Sequence, residues 1–137
     1  MYSHILVAID GSVHTSKTLP VALELAKENS AAVTVLHVRE HARYQGSDVD
    51  LGPIESPEDL VESAVAKFRE EGLAATGETR RVNPRDTASA IVEVAKASNA
   101  DLIVMGTRGM TELKSLVLGG VANKVVHHAP CSVLLVR

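Results

Sequence analysis

The fold is decided by Ile5-Leu6-Val7-Ala8-Ile9-Asp10-Gly11-Ser12, near the start of the chain. The unbroken apolar run at its beginning is typical of a central strand in a parallel sheet, because both faces of such a strand are covered. Asp10-Gly11-Ser12 is a turn signal. Apolar residues at helical spacing come next, namely Leu19, Ala22, Leu23 and Ala26. The stretch therefore predicts a strand, a tight turn and a helix.

Pro20 leaves the start of this first helix open between two alternatives. In the first alternative the helix begins near Thr18 and Pro20 lies in its first turn, where proline is tolerated. In the second the helix begins near Ser12 and Pro20 bends it. The sequence does not decide between them.

The rest of the chain alternates in the same way between short apolar or β-branched runs and helical spacing. The predicted strands are 33–38, 76–82, 102–105 and 133–136, and the segment 76–82 is polar enough to suit an edge of the sheet. Helix starts are indicated at Ser56-Pro57 and Asn83-Pro84, and a last helix is predicted to stop at Pro130. Residues 39–55 show no apolar period and are predicted to be a long loop.

This order predicts the fold class. Strands that alternate with helices imply right-handed crossovers and parallel pairing. We expect one domain over residues 1–137, an α/β fold with a single doubly wound five-stranded parallel sheet and helices on both faces, of the Rossmann-like kind.

Composition excludes several classes of function. The chain has 137 residues, 45% of them hydrophobic and 23% charged, with a formal net charge of −3, so no electrostatic argument favours nucleic acid or an anionic membrane as a partner. No apolar run approaches the roughly 20 residues that span a bilayer. The first residues lack the basic flank of a signal peptide, and we expect a cytoplasmic protein. A single cysteine, Cys131, excludes an internal disulfide and a cysteine-based zinc cluster.

The chemistry is expected at the carboxyl ends of the first and fourth predicted strands. In open α/β sheets ligands bind where the strand order reverses, and these two strands look central. The first ends at Asp10, and the other runs into the glycine-rich segment Gly106-Thr107-Arg108-Gly109-Met110-Thr111-Glu112, which continues to Gly119-Gly120. Glycines permit φ > 0 and close backbone approach, and a helix start favours anions, so this segment can hold a polyphosphate. Ordinary turn glycines are the alternative interpretation.

Several other residues carry weaker indications. Asp10 at a strand end can cap its own turn. Arg108 and Lys114 can reach a phosphate or remain solvated. His37 is expected to be packed or hydrogen-bonded rather than catalytic, and the adjacent His127 and His128 point apart on a helix. The sequence contains no nucleophile-elbow, P-loop or zinc-protease motif.

The glycine spacing carries a family resemblance. Gly106-x2-Gly109-x9-Gly119 is similar to the nucleotide-binding signature Gly-x2-Gly-x9-Gly-(Ser/Thr) of the universal stress proteins. The resemblance extends over the chain, because 7–12, 36–38, 101–106 and 128–136 look like the family's strands and turns. The chain departs from the signature at Gly120, where the family has a hydroxyl residue.

The resemblance implies roles for particular residues. Asp10 would contact ribose, phosphate or a bound metal ion, while Ala8 and Val38 would flank the adenine. The segment from Gly106 to Glu112 would wrap the phosphates. Gly119 would belong to the nucleotide-binding site as the last glycine of the signature, and Gly120, Val121 and Ala122 at the helix start would donate N–H groups.

These implications lead to a functional expectation. The resemblance implies a stress-related regulatory protein, often a homodimer, that binds an adenine nucleotide; ATP is the expected ligand, AMP or ADP are the alternatives, and Mg²⁺ is a companion ion. The apolar run 133–136, at a sheet edge, predicts that the homodimer forms through the C-terminal strand. Two alternatives remain: an enzyme that slowly hydrolyses ATP or transfers its phosphoryl group, and a dimeric interaction module with a weak or empty pocket. No residue of the sequence is assigned a catalytic role.

Overall fold

The architecture was obtained as a computed structural model. It describes residues 1–11, 15–44, 47–50, 56–107 and 119–137, with the backbone alone at 42–44 and 47–50. The strands are β1 (His4–Ile9), β2 (Ala32–Tyr44), β3 (Ser47–Asp50), β4 (Ala75–Val82), β5 (Leu102–Gly106) and β6 (Ser132–Val136). The helices are α1 (Thr15–Asn29), α2 (Pro57–Glu70), α3 (Thr87–Ala97) and α4 (Gly120–His128), and a short 3-10 helix, Pro84–Asp86, precedes α3.

Five parallel strands form the sheet, in the order β4-β2-β1-β5-β6. This confirms the predicted doubly wound α/β fold. The order reverses between β1 and β5, because the chain moves outward from β1 to β2 and β4 before it crosses back. The polar strand β4 pairs with β2 alone among the described strands and forms one edge, as its composition predicted.

Helices cover both faces of the sheet, and the core is aliphatic apart from Phe68, which is among its largest buried side chains. One layer joins α1 and α2 to strand residues such as Ile5, Val35 and Val104. The other layer joins α3 and α4 to residues such as Leu6, Leu36 and Ile103. Neighbouring residues along each strand thus enter opposite layers, which is why the central strands read as unbroken apolar runs.

The prediction of a long loop after the second strand was wrong. The supposed loop 39–55 includes the end of β2, which runs to Tyr44, and the antiparallel strand β3. Hydrogen bonds to neighbouring strands hold this part of the chain: β2 pairs with β4 up to Glu40 and then with β3. A paired strand need not bury one face, so the sequence shows no apolar period here. Residues 45, 46 and 51–55 lie outside the described part of the chain.

The alternative in which the first helix begins near Thr18 is wrong, because Thr15 is already helical and Pro20 lies in the helix interior. Residues 12–14 lie outside the described part of the chain, so the alternative start near Ser12 stays a prediction. No described helix combines the length and the apolar character needed to cross a membrane.

Candidate functional site

The candidate site lies where β1 and β5 end side by side. The two strands pair in parallel, with Ile5 opposite Leu102 and Val7 opposite Val104, so their carboxyl ends reach the same edge of the sheet. β1 leads into the turn at Asp10, and β5 leads into Gly106 and the glycine-rich segment. The strand-order reversal therefore brings together the two loops that the sequence singled out.

The hydroxyl of Thr15 holds the turn after β1. Thr15 Oγ1 donates to Asp10 Oδ1 at 3.0 Å and accepts from the backbone N–H groups of Asp10 at 3.2 Å and Gly11 at 3.0 Å. Gly11 has φ of 80°, a conformation that glycine adopts without strain. The Asp10 carboxylate thus takes part in its own turn, and it is held in a defined position at the switch point.

Sequence reasoning missed Thr15. Its hydroxyl closes the turn from five residues downstream of Asp10, at the first position of α1. A threonine at a helix start is a recognisable signal, because hydroxyls there commonly meet free backbone N–H groups.

The two ends of the glycine-rich segment are joined to each other. The Gly119 N–H donates to the Thr107 carbonyl at 2.9 Å, and the Thr107 N–H donates to the Val136 carbonyl at 3.1 Å. The Gly119 N–H is therefore used within the segment itself. Gly119 serves as the N-cap that places α4 beside the end of β5.

The start of α4 supplies the donors that an anion needs. The first intrahelical hydrogen bond runs from Asn123 N–H to the Gly119 carbonyl at 2.9 Å. The N–H groups of Gly120, Val121 and Ala122 precede it and have no carbonyl four residues back within the helix. Together with the helix dipole they make this end of α4 favourable for negative charge.

Neither glycine at this helix start adopts the positive φ that the sequence analysis associated with the glycine-rich segment. Gly119 is extended, with φ of −60° and ψ of 153°. Gly120 has no positive φ, and a Cβ added to it would meet nothing within 4 Å among the described residues. Within the described part of the chain, space therefore does not exclude a side chain at Gly120.

Ala8 and Val38 lie on the same face of the sheet, the one covered by α3 and α4. Val38 is buried in that layer and Ala8 is partly buried against it. Ala8 pairs with Leu36, so Val38 is two residues further along the neighbouring strand. The two side chains thus approach the site edge from adjacent strands. The predicted phosphate-binding residues from Arg108 to Glu112 lie outside the described part of the chain.

His37 is fully buried beside this site. Its ring is packed in the interior, as expected, and neither ring nitrogen has a hydrogen-bond partner of good geometry among the described residues. Burial, and then the positive charge of Arg39, lower the pKa of His37, while Asp10 and Glu58 act in the opposite direction. The ring is therefore neutral at physiological pH.

Asp10 is the residue that could contact a metal ion. No group of three or more histidine, cysteine or acidic side chains placed to hold a metal occurs among the described residues. A single carboxylate nevertheless suits Mg²⁺ that arrives with a polyphosphate, because Mg²⁺ in such sites keeps water and phosphate ligands and takes only one or two carboxylates.

The sequence analysis gave His127, His128 and Cys131 no role in the site, and their surroundings in the structure give no reason to add them. His127 and His128 are exposed at the end of α4. Cys131 is partly buried, and its burial raises the pKa of its thiol, which disfavours the reactive thiolate.

A profile of the universal stress protein family matches residues 1–137. The chain belongs to this family. Among its relatives are the universal stress protein YxiE of Bacillus subtilis, 35% identical over 150 residues and matched over the full length of both chains, and a universal stress protein of Thermus aquaticus, 38% identical over 141 residues and likewise matched in full.

Solved structures of the same family share the fold. A universal stress protein from Archaeoglobus fulgidus matches with a TM-score of 0.73 and 25% identity, covering 100% of both chains. An Archaeoglobus fulgidus structure in complex with dAMP has a TM-score of 0.67 and 24% identity, covering 99% of this chain and 98% of the other. A family protein from Arabidopsis thaliana with AMP bound has a TM-score of 0.66 and 21% identity, covering 98% and 90%. The last two likenesses show the common fold alone.

Proposed function

We propose that this chain is a stress-related regulatory protein that binds an adenine nucleotide between the Asp10 turn and the start of α4, with ATP as the expected ligand and AMP or ADP as alternatives. The observation that carries the proposal is the hydrogen bond from Gly119 to Thr107, because it sets the open N–H groups of α4 next to the end of β5. The nucleotide complexes of proteins with this fold support the proposal.

Each part of the site has a defined task in this proposal. The N–H groups of Gly120, Val121 and Ala122 bind phosphate oxygens, with Gly106, Thr107 and the segment Arg108–Glu112 wrapping the same phosphates. Ala8 and Val38 flank the adenine with apolar surface. Asp10, held by Thr15, contacts the ribose or a Mg²⁺ ion on the phosphates.

We also propose a cytoplasmic homodimer that forms through β6, with residues 1–137 acting as one domain. β6 is an edge strand in the described sheet, and Leu134 exposes 37% of its surface. Exposed apolar edge strands promote association unless they are covered, and symmetric pairing with a second copy covers this one.

Calorimetry with ATP, ADP and AMP, each with and without Mg²⁺, tests the nucleotide proposal. We expect saturable heat for ATP, and we expect nucleotide to be released when freshly purified protein is denatured. No heat beyond dilution for any nucleotide, together with no released nucleotide, contradicts the proposal. The comparison with and without Mg²⁺ tests whether the ion is part of the complex.

A further inference from the structure

A glutamate at the end of β2 lies on the same face of the sheet as the apolar side chains of the candidate site. Glu40 is two residues beyond Val38 on this strand, so both side chains are on the face covered by α3 and α4. The pairing of β2 with β1 ends where Ile9 meets His37, so Glu40 extends past the end of β1. Glu40 therefore lies at the edge of the sheet where the candidate site is.

The start of α3 holds the side chain of Glu40. Thr87 is the first residue of α3 and is buried, and its Oγ1 donates to Glu40 Oε1 at 2.9 Å. The Pro84 carbonyl is a second acceptor for the same hydroxyl, at 3.2 Å. Val82, the register partner of Glu40 on β4, packs in the same layer. The half-buried carboxylate is thus held between the end of β2 and the start of α3.

The second oxygen of this carboxylate is available to a ligand. Glu40 Oε2 makes no hydrogen bond to any residue that the structure describes. A carboxylate accepts hydrogen bonds at both oxygens and donates none. A ligand group that meets Glu40 therefore has to be a donor.

In the proposed nucleotide complex the purine base points toward Glu40. The phosphates occupy the start of α4 beside β5, the ribose lies at Asp10 after β1, and the base lies against Ala8 and Val38. Neighbouring strands are about 4.8 Å apart, so the ligand extends across two strand spacings, about 10 Å, toward the end of β2. The six-membered ring is the end of a purine furthest from the ribose, so the group on carbon 6 faces Glu40.

We propose that Glu40, positioned by Thr87, selects adenine by accepting a hydrogen bond from its exocyclic 6-amino group. This inference rests on the proposed nucleotide function and adds the residue that sets base specificity. Adenine has an N–H donor on carbon 6, whereas hypoxanthine and guanine have a carbonyl oxygen there. A carboxylate bonds to the amine and repels the carbonyl, so one side chain favours adenine and disfavours the other two bases. Thr87 is a positioning residue that acts through Glu40.

Calorimetry with matched triphosphates tests the role of Glu40. ATP carries the amine on carbon 6, inosine triphosphate carries the carbonyl, and purine riboside triphosphate carries only a hydrogen atom. We expect the wild type to bind ATP about tenfold more tightly than purine riboside triphosphate, since one hydrogen bond to a charged group is lost. Inosine triphosphate is expected to bind more weakly than ATP by at least the same factor, because its carbonyl meets the carboxylate.

Glu40→Gln gives an expectation of opposite sign. Thr87 still donates to the side-chain oxygen, so the amide NH₂ faces the base, where it opposes the amine of adenine and donates to a carbonyl. We expect the ratio of ATP affinity to inosine triphosphate affinity to fall at least tenfold. Glu62→Gln makes the same change of charge at an exposed position of α2, on the opposite face, and is the control expected to keep the wild-type ratio.

Thr87→Val tests the positioning role, because it removes the hydroxyl and keeps the shape of the side chain. A purely structural role would lower the melting temperature and leave the affinity ratio unchanged. We expect the ratio to fall a few-fold in Thr87→Val alone. In a Glu40→Ala background, which lacks the carboxylate, Thr87→Val is expected to leave the ratio unchanged.

Three results overturn the inference while nucleotide binding stands. The first is equal binding of the three triphosphates by the wild type, and the second is an unchanged ratio in Glu40→Gln. The third is tighter binding of GTP than of ATP, since a carboxylate that faces nitrogen 1 and the 2-amino group accepts two hydrogen bonds from guanine. Absence of binding by every triphosphate contradicts the proposed nucleotide function and this inference together, so the two failures are distinguishable.

Discussion

At the scale of single residues, Gly120 marks where this chain differs from the family signature. Gly120→Ser is expected to tighten ATP binding about three- to tenfold, a change of roughly 0.6–1.4 kcal/mol, because a hydroxyl at this helix start can donate to a phosphate. The added Cβ meets nothing within 4 Å, so the fold accommodates it. Displacement of an ordered water limits the gain.

Calorimetry on wild type and Gly120→Ser measures this change, with AMP beside ATP. If the hydroxyl meets a β- or γ-phosphate, ATP alone gains affinity. Gly120→Ala is the matched control, since it adds the Cβ without the hydroxyl. Unchanged or weaker ATP binding in the serine variant would remove Gly120 from the proposed site.

His37 is expected to make stability depend on pH. Its pKa in the folded protein is lowered below the ordinary 6.5, chiefly by burial, so the unfolded chain binds the proton first as the pH falls. Stability therefore decreases as the pH falls from about 6.5 towards the lowered folded value. His37→Leu removes this contribution and also removes two buried nitrogens without partners.

Denaturant unfolding at pH 7.5 and 5.5 tests this expectation. We expect wild type to lose more stability between these two values than His37→Leu, and the leucine variant to be no less stable than wild type at pH 7.5. His37→Gln separates the two effects, since it cannot titrate but stays polar. The same loss in all three proteins would show that His37 does not contribute to the pH dependence.

At the scale of elements, the packing of α2 on β4 depends on the missing side chain of Gly77. A Cβ at this position would overlap Val61 Cγ1 and lie 3.1 Å from Val65 Cγ2. Gly77→Ala is therefore expected to destabilise the protein by about 1–3 kcal/mol, the usual effect of overpacking.

A double-mutant cycle with Val61→Ala tests the cause. If overlap with Val61 is responsible, the double variant is less destabilised than the sum of the two single variants. Unfolding free energies from urea titration give the four values. Additive effects would mean that Gly77 is required for its backbone and not for space.

At the scale of the whole molecule, the proposed homodimer depends on the edge strand β6. Leu134→Lys is expected to shift the protein to monomer, because it places a charge on an exposed edge that pairing would bury. Thr76→Lys on β4, an exposed position of the opposite edge strand, is the matched control and is expected to leave the mass unchanged. Light scattering at micromolar concentration measures both, and a monomeric wild type would contradict the dimer.

The sequence alone predicted the order of the five parallel strands and the four helices, and it singled out the edge of the sheet where the candidate site lies. Each buried strand is an unbroken apolar run and each helix start has local signals, so the alternation of strands and helices was readable. The rule for open α/β sheets then located Asp10 and Gly106 at one edge. The end of β2 escaped prediction because residues 39–44 are held by pairing and carry no apolar pattern.

Only the tertiary structure decided which distant side chains meet. Arg39 and Arg81 lie 42 positions apart in the sequence and become neighbours through the register of β2 and β4. Thr15 reaches Asp10 only once the turn is closed. The burial of the His37 ring, with no hydrogen-bond partner of good geometry among the described residues, is likewise set by the tertiary structure. Local propensity and periodicity act over a few residues, whereas register and burial arise from strand pairing across the whole chain.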